Sequence, residues 1–129
     1  MAGYSATPQI RKLGIKPEHI LVIHSPDSEW ALDDSPVEPI SHSSSADVVL
    51  AFVREAALID GTVEKFQQVI FPAGSLWIAW PRKAGGHVSD VNENLIRNSA
   101  LARGLVDVKV AAIDDDWSGL KLVWRKENR

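Results

Sequence analysis

The chain has 129 residues, 45% of them hydrophobic and 24% charged, which excludes wholesale disorder and predicts a single domain over residues 1–129. Cysteine is absent, so disulfides, zinc–thiolate sites and thiol catalysis are excluded. A net charge of −3 argues against a nucleic-acid binder, and the lack of an apolar run near the ~20 residues of a membrane span, or of a signal peptide, predicts a cytoplasmic protein without membrane partners.

Charge is unevenly placed. Residues 1–16 carry three basic side chains (Arg11, Lys12, Lys16) and no acid, whereas residues 17–53 carry seven acids and no Lys or Arg. Within that acidic stretch, residues 25–46 hold seven serines and three prolines. This composition predicts a connection that is solvated rather than packed, and the most mobile internal segment.

In chain order, Thr7-Pro8 before Gln-Ile-Arg-Lys-Leu-Gly predicts a short helix capped by Thr7 and stopped at Gly14. Ile20–Ile23 predicts a strand buried on both faces. Residues 28–33 suggest a helical turn around Trp30, and Val37–Ile40 at most an edge strand, because of Pro36 and Pro39. Asp47–Val53 is a second buried strand. Ala56, Ile59, Val63, Phe66 and Ile70 form one helical face, interrupted at Gly61, so either one helix with a weak point or two shorter ones is expected. Leu76–Trp80 is a third buried strand. Asp90 then opens a helix with Glu93 as its capping-box partner, an apolar side of Val91, Leu95 and Leu101, and a stop at Gly104. Alternation over Val106–Val110 and Leu120–Trp124 predicts an antiparallel hairpin with Val108 opposite Trp124 and Asp107 opposite Arg125. Like charges across a ladder destabilise it, so a register with Lys109 opposite a second cation is disfavoured. In the expected register Trp124 packs beneath a helix. Gly119 supplies a permissive position, such as a bulge. Strands alternating with helices give an α/β fold with a mostly parallel sheet.

Phe71-Pro72-Ala73-Gly74-Ser75-Leu76-Trp77-Ile78, followed by a helix and a closing hairpin, resembles the second half of class I S-adenosylmethionine-dependent methyltransferases over roughly residues 47–125. The whole chain is similar to a small bacterial family of unknown function, through Gly3-Tyr4-Ser5, Lys12-Leu13-Gly14-Ile15-Lys16-Pro17, Trp80-Pro81-Arg82-Lys83, Gly104-Leu105-Val106-Asp107-Val108-Lys109-Val110 and Trp117-Ser118-Gly119-Leu120-Lys121. The resemblance implies a single Rossmann-like, methyltransferase-like domain over residues 1–129 and no established activity. The departure is at the first strand, which runs into His24-Ser25-Pro26-Asp27-Ser28-Glu29 where the cofactor fold needs a glycine-rich turn; Glu38 is the nearest acid for ribose hydroxyls. No cofactor is therefore expected.

Candidate ligand-binding residues are His24, Arg54 and Trp80, at the tips of three strands, with Arg82 and Lys83 in a basic glycine-containing loop ahead of a helix. Arg54 is able to hold a carboxylate or phosphate, His24 to act as acid or base, and the loop to hold an anion. The alternatives are a capping histidine, a surface Arg54–Glu55 pair and a solvated turn. No catalytic residue is assigned: there is no nucleophile elbow and no phosphate-binding loop. Asp114–Asp116 is a solvated turn rather than a cation site, and no metal is expected. The expectation is a non-catalytic module that contacts a protein partner or a second copy of itself; the alternative is a small-molecule or nucleotide binder, or a reduced methyltransferase-like enzyme, working at the strand-tip rim.

Overall fold

The computed structural model describes residues 7–129; Gly3-Tyr4-Ser5 lie outside the described residues. The elements are α1 (Gln9–Leu13), β1 (Leu21–His24), β2 (Val48–Phe52), α2 (Ile59–Gln67), β3 (Ser75–Pro81), α3 (Glu93–Ala102), β4 (Leu105–Ala112) and β5 (Trp117–Trp124). They form one five-stranded sheet in the order β1-β2-β3-β5-β4. β1, β2 and β3 are parallel, and β5 runs antiparallel to both β3 and β4. This is the mostly parallel α/β sheet with a closing hairpin that the alternation of elements predicts.

Strand alternation divides the core in two. Val49, Ala51, Leu76, Ile78, Leu120 and Leu122 face α2 and α3, whose Ile59, Val63, Phe66, Ile96 and Ala100 cover them. Val48, Leu50, Phe52, Trp77 and Ala79 face the other way, under Leu13 and Ile15. The serine- and proline-rich connection covers the rest of that second face, with Trp30, Leu32 and Val37 packed on it. Most of the segment is exposed, as expected of a solvated connection, and it packs on this face only through the half-buried Trp30, Leu32 and Val37. In place of a helical stretch over residues 28–33 it has a single turn closed by Trp30 N on the Asp27 carbonyl at 2.9 Å, and among the described residues its sheet contact is a parallel bridge between Ile40 and Val22. β1 is buried at Leu21 and Val22 but only half-buried at Ile23 and His24, not covered on both faces throughout.

Local deviations have local causes. Pro8, not Thr7, occupies the N-cap position of α1, and Gly14 ends the helix at φ 74°. Ala56 lies in a short 3-10 turn, and α2 then runs unbroken through Gly61. α3 begins after Asn92, whose Oδ1 accepts from Leu95 N at 3.0 Å. Asp90, the expected cap, instead accepts from Ala56 N at 2.8 Å, tying two loops together. The buried stripe of α3 is Ile96, Ser99 and Ala100, leaving Leu95 40% exposed. Ser99 is buried because its hydroxyl donates to Asp60 on α2 at 2.6 Å.

The hairpin register also differs. Leu105 faces Trp124 and Asp107 faces Leu122; the register then shifts at Val108, and Lys109 faces Lys121. Val106, opposite Val123, therefore does not share a face with Leu120 and Leu122. The observed register buries Leu105 completely. Burying such a side chain contributes roughly 1.5–3 kcal/mol, more than the roughly 0.2–1 kcal/mol a like-charge pair costs. Trp124 packs as expected in spite of the shift, 8% exposed, with its Nε1 donating to the Gln67 carbonyl at the end of α2. The bulge is at Val108 and not at Gly119. Gly119 is required by close approach: a Cβ there would stand 2.8 Å from Ile113 and 3.0 Å from Trp77.

Candidate functional site

The carboxyl ends of β1, β2 and β3 open on one rim, where parallel sheets commonly bind ligands. Ser25, just past β1, adopts the left-handed conformation at φ 55°, which turns its carbonyl toward β2. Arg54, just past β2, uses that turn. Its Nη1 donates to the Ser25 carbonyl at 3.0 Å, its Nη2 pairs with Asp27, and its guanidinium lies 5.1 Å from the centre of the Trp117 ring. The Arg54 carbonyl accepts from Ser89, which fixes the loop after β3 as well.

Pro81, at the end of β3, separates two cavities. The first, of about 560 Å³, is lined by Asp27, Glu29, Trp30, Arg54, His87, Asp116 and Trp117, among others. The second, of about 370 Å³, lies toward the start of α3, against Trp80, Arg82, Lys83, Asn92 and Glu93. The five sequence candidates are therefore divided. Arg54 is in the first cavity, and Trp80, Arg82 and Lys83 are in the second. His24 lines neither: it turns toward α2, edge-on to Phe66 at 5.0 Å. Burial there holds its pKa below the ordinary histidine value, and the nearby Lys65 lowers it further. The loop cations of the second cavity face a carboxylate, Glu93, which is itself paired with Arg97 at 2.8 Å.

The first cavity gathers residues that sequence reasoning does not single out. Phe52 joins Trp30 and Trp117 through two edge-to-face contacts, each 4.8 Å between ring centres. Asp114 fixes both tryptophans, accepting from Trp30 Nε1 at 2.9 Å and from Trp117 N at 2.9 Å. The turn of three aspartates is thus a bracket for aromatic rings. His87 and Asp116 meet at 2.8 Å across the mouth. The only sequence signal for this assembly is the pairing of an acidic stretch with isolated tryptophans, and the partners lie 84 positions apart in the case of Trp30 and Asp114. Among the described residues no group of three His, Asp or Glu side chains is placed to hold a metal ion, and no helix is long and apolar enough to cross a membrane.

Comparison with known proteins places this geometry in a family. Residues 31–126 match the model of DUF3052, a protein family of unknown function, and the chain belongs to that family. No curated protein matches the sequence. Solved structures that share the fold include two of fibrillarin. The Methanococcus jannaschii fibrillarin pre-rRNA processing protein is 14% identical with a TM-score of 0.52, over 95% of this chain and 70% of that one. A fibrillarin/Nop5p complex is 9% identical with a TM-score of 0.51, over 86% of this chain and 75% of that one. At these identities the likeness is one of fold: the sheet is methyltransferase-like, as the Pro-Gly turn and closing hairpin imply.

Proposed function

We propose that this DUF3052 protein is a non-catalytic interaction module built on a methyltransferase-like sheet. The observation that carries the reading is Arg54. The chain leaves β1 toward the Ile40 bridge on one side and returns to β2 on the other. That reversal of direction marks the crevice where such sheets receive a cofactor. Arg54 spans this crevice from β2 to Ser25 and Asp27. A cofactor turn also needs glycine for close backbone approach, and no glycine occurs between Gly14 and Gly61. These residues do not fit an adenosyl cofactor.

Calorimetric titration with S-adenosylmethionine and with ATP tests the reading. The expected result is no measurable heat of binding; micromolar affinity for either would replace it with the second reading, a small-molecule or nucleotide binder or reduced methyltransferase-like enzyme. That second reading is favoured by the volume of the first cavity, about 560 Å³, which is within the range of ligand pockets. Light scattering over a range of concentrations separates a partner-binding module from a self-associating one.

A further inference from the structure

We infer that the first cavity receives an arginine side chain from a basic segment of a protein partner. The inference rests on the interaction-module reading and names the chemistry of the partner.

Charge decides the sign of the occupant. Asp27, Glu29 and Asp116 line the cavity against one permanent cation, Arg54, and one imidazole ring, His87. Arg54 is already held by Ser25 and Asp27, so it is not free to receive an anion. Asp116 uses one oxygen on His87, and Glu29 has no ion-pair partner among the described residues. The surrounding chain adds to this field: residues 17–53 carry five further acids, Glu18, Asp33, Asp34, Glu38 and Asp47, and no Lys or Arg. A cavity of this balance attracts cations.

The walls favour a planar cation. Trp30, half-buried, is held by Asp114 and by its contact with Phe52, so an aromatic surface is formed in advance, while Trp117 is only 6% exposed and carries Arg54 over its ring. Guanidinium groups stack on such rings and fork onto carboxylates, which an ammonium does less well. The protein itself displays this mode: Arg54 lies over Trp117 while pairing with Asp27. The rim favours a macromolecule over a free amine. Val88, in the cavity wall, is 99% exposed, an aliphatic side chain that none of the described residues covers. A peptide backbone running past the mouth would cover it while one side chain enters.

The test is a nuclear magnetic resonance titration of the full chain with three capped tripeptides, Gly-Arg-Gly, Gly-Lys-Gly and Gly-Glu-Gly. The arginine peptide should shift the indole N–H signals of Trp30 and Trp117 saturably at millimolar concentration. The lysine peptide should bind several-fold more weakly, and the glutamate peptide should leave the signals unmoved. Glu29→Gln should weaken arginine binding about threefold, and Glu29→Gln with Asp116→Asn about tenfold, the range expected for exposed charge pairs. Glu64→Gln, the same charge change on α2, should have no effect. Silence toward the arginine peptide, indifference to Glu29→Gln, or a stronger response to the glutamate peptide would each overturn the inference. Those failures leave the interaction-module reading standing, whereas binding of S-adenosylmethionine removes that reading whatever the peptides do.

Discussion

Lys109 on β4 lies directly opposite Lys121 on β5. The arrangement persists because Lys109 has another partner: its Nζ donates to the Lys12 carbonyl at the end of α1, 3.3 Å away. Lys12 in turn reaches the Ala112 carbonyl at 2.7 Å, and its amine is held below the ordinary lysine pKa by burial first, then by Arg82 and Lys109. Three amines on one side of the hairpin are an electrostatic cost that the packing of Leu105 and Trp124 offsets. Lys121→Glu should therefore stabilise the protein by about 0.5–1 kcal/mol, read as a higher denaturant midpoint, with the gain shrinking in molar salt. A lower midpoint would show that Lys121 makes a favourable contact in this register.

Glycine substitutions should separate open positions from closed ones. Gly61 lies inside α2, and a Cβ at that position would meet nothing within 4 Å, so Gly61→Ala should stabilise by about 0.5–1 kcal/mol through helix propensity. A Cβ at Gly119 would stand 2.8 Å from Ile113 and 3.0 Å from Trp77, so Gly119→Ala should destabilise by about 1–3 kcal/mol through overpacking. Equilibrium denaturation of the two variants side by side checks both signs.

What could be read from the sequence follows from range. β2 and β3 are continuous apolar runs, and α2 repeats Ile59, Val63 and Phe66 at helical spacing, so their existence is a local property. The hairpin register is not local, because the burial of Leu105 depends on where α3 ends and on the Gln67 carbonyl that anchors Trp124. The start of α3 depends likewise on Asp90 being used by Ala56, a distant backbone N–H. The rim shows the same division. Arg54 is legible as a charge at a strand tip, but its partners Ser25 and Asp27 lie across the sheet, and the aromatic walls are assembled from three separate segments. His24 ends a strand as the other tip residues do, yet its alternation with Ile23 sends it to the α2 face.

His24 gives a pH dependence of stability. Its folded-state pKa is lowered, by burial and then by Lys65, so the unfolded chain takes up the proton first as pH falls. The stabilisation is complete above the unfolded value of about 6.5 and is lost progressively as pH drops from there through the folded value. His24→Gln should flatten that part of the profile while leaving stability at pH 8 little changed. Denaturation midpoints between pH 8 and pH 5 measure it, and an unchanged slope in the variant would assign the effect to other groups.

Arg54 should control the order of the connection after β1. Trp30 N donates to the Asp27 carbonyl at 2.9 Å, and the Asp27 carboxylate is held by Arg54, so the turn that presents Trp30 is braced from β2. The same connection is tied further on by Ile40, whose N–H donates to the Leu21 carbonyl at 3.0 Å and whose carbonyl accepts from Ile23 N at 3.0 Å. Amide exchange should therefore be fastest in residues 41–45, which carry serines and no sheet bond, and slower at Trp30 and Ile40. Arg54→Gln removes the ion pair and the reach to Ser25, and should cost about 1 kcal/mol of global stability, at the level of one exposed ion pair and one hydrogen bond. Its larger effect should be local: exchange at Trp30 rises several-fold while Ile40, held by β1, is unmoved. Equal acceleration at both amides would mean that Arg54 supports the fold as a whole and does not specifically brace the wall of the cavity.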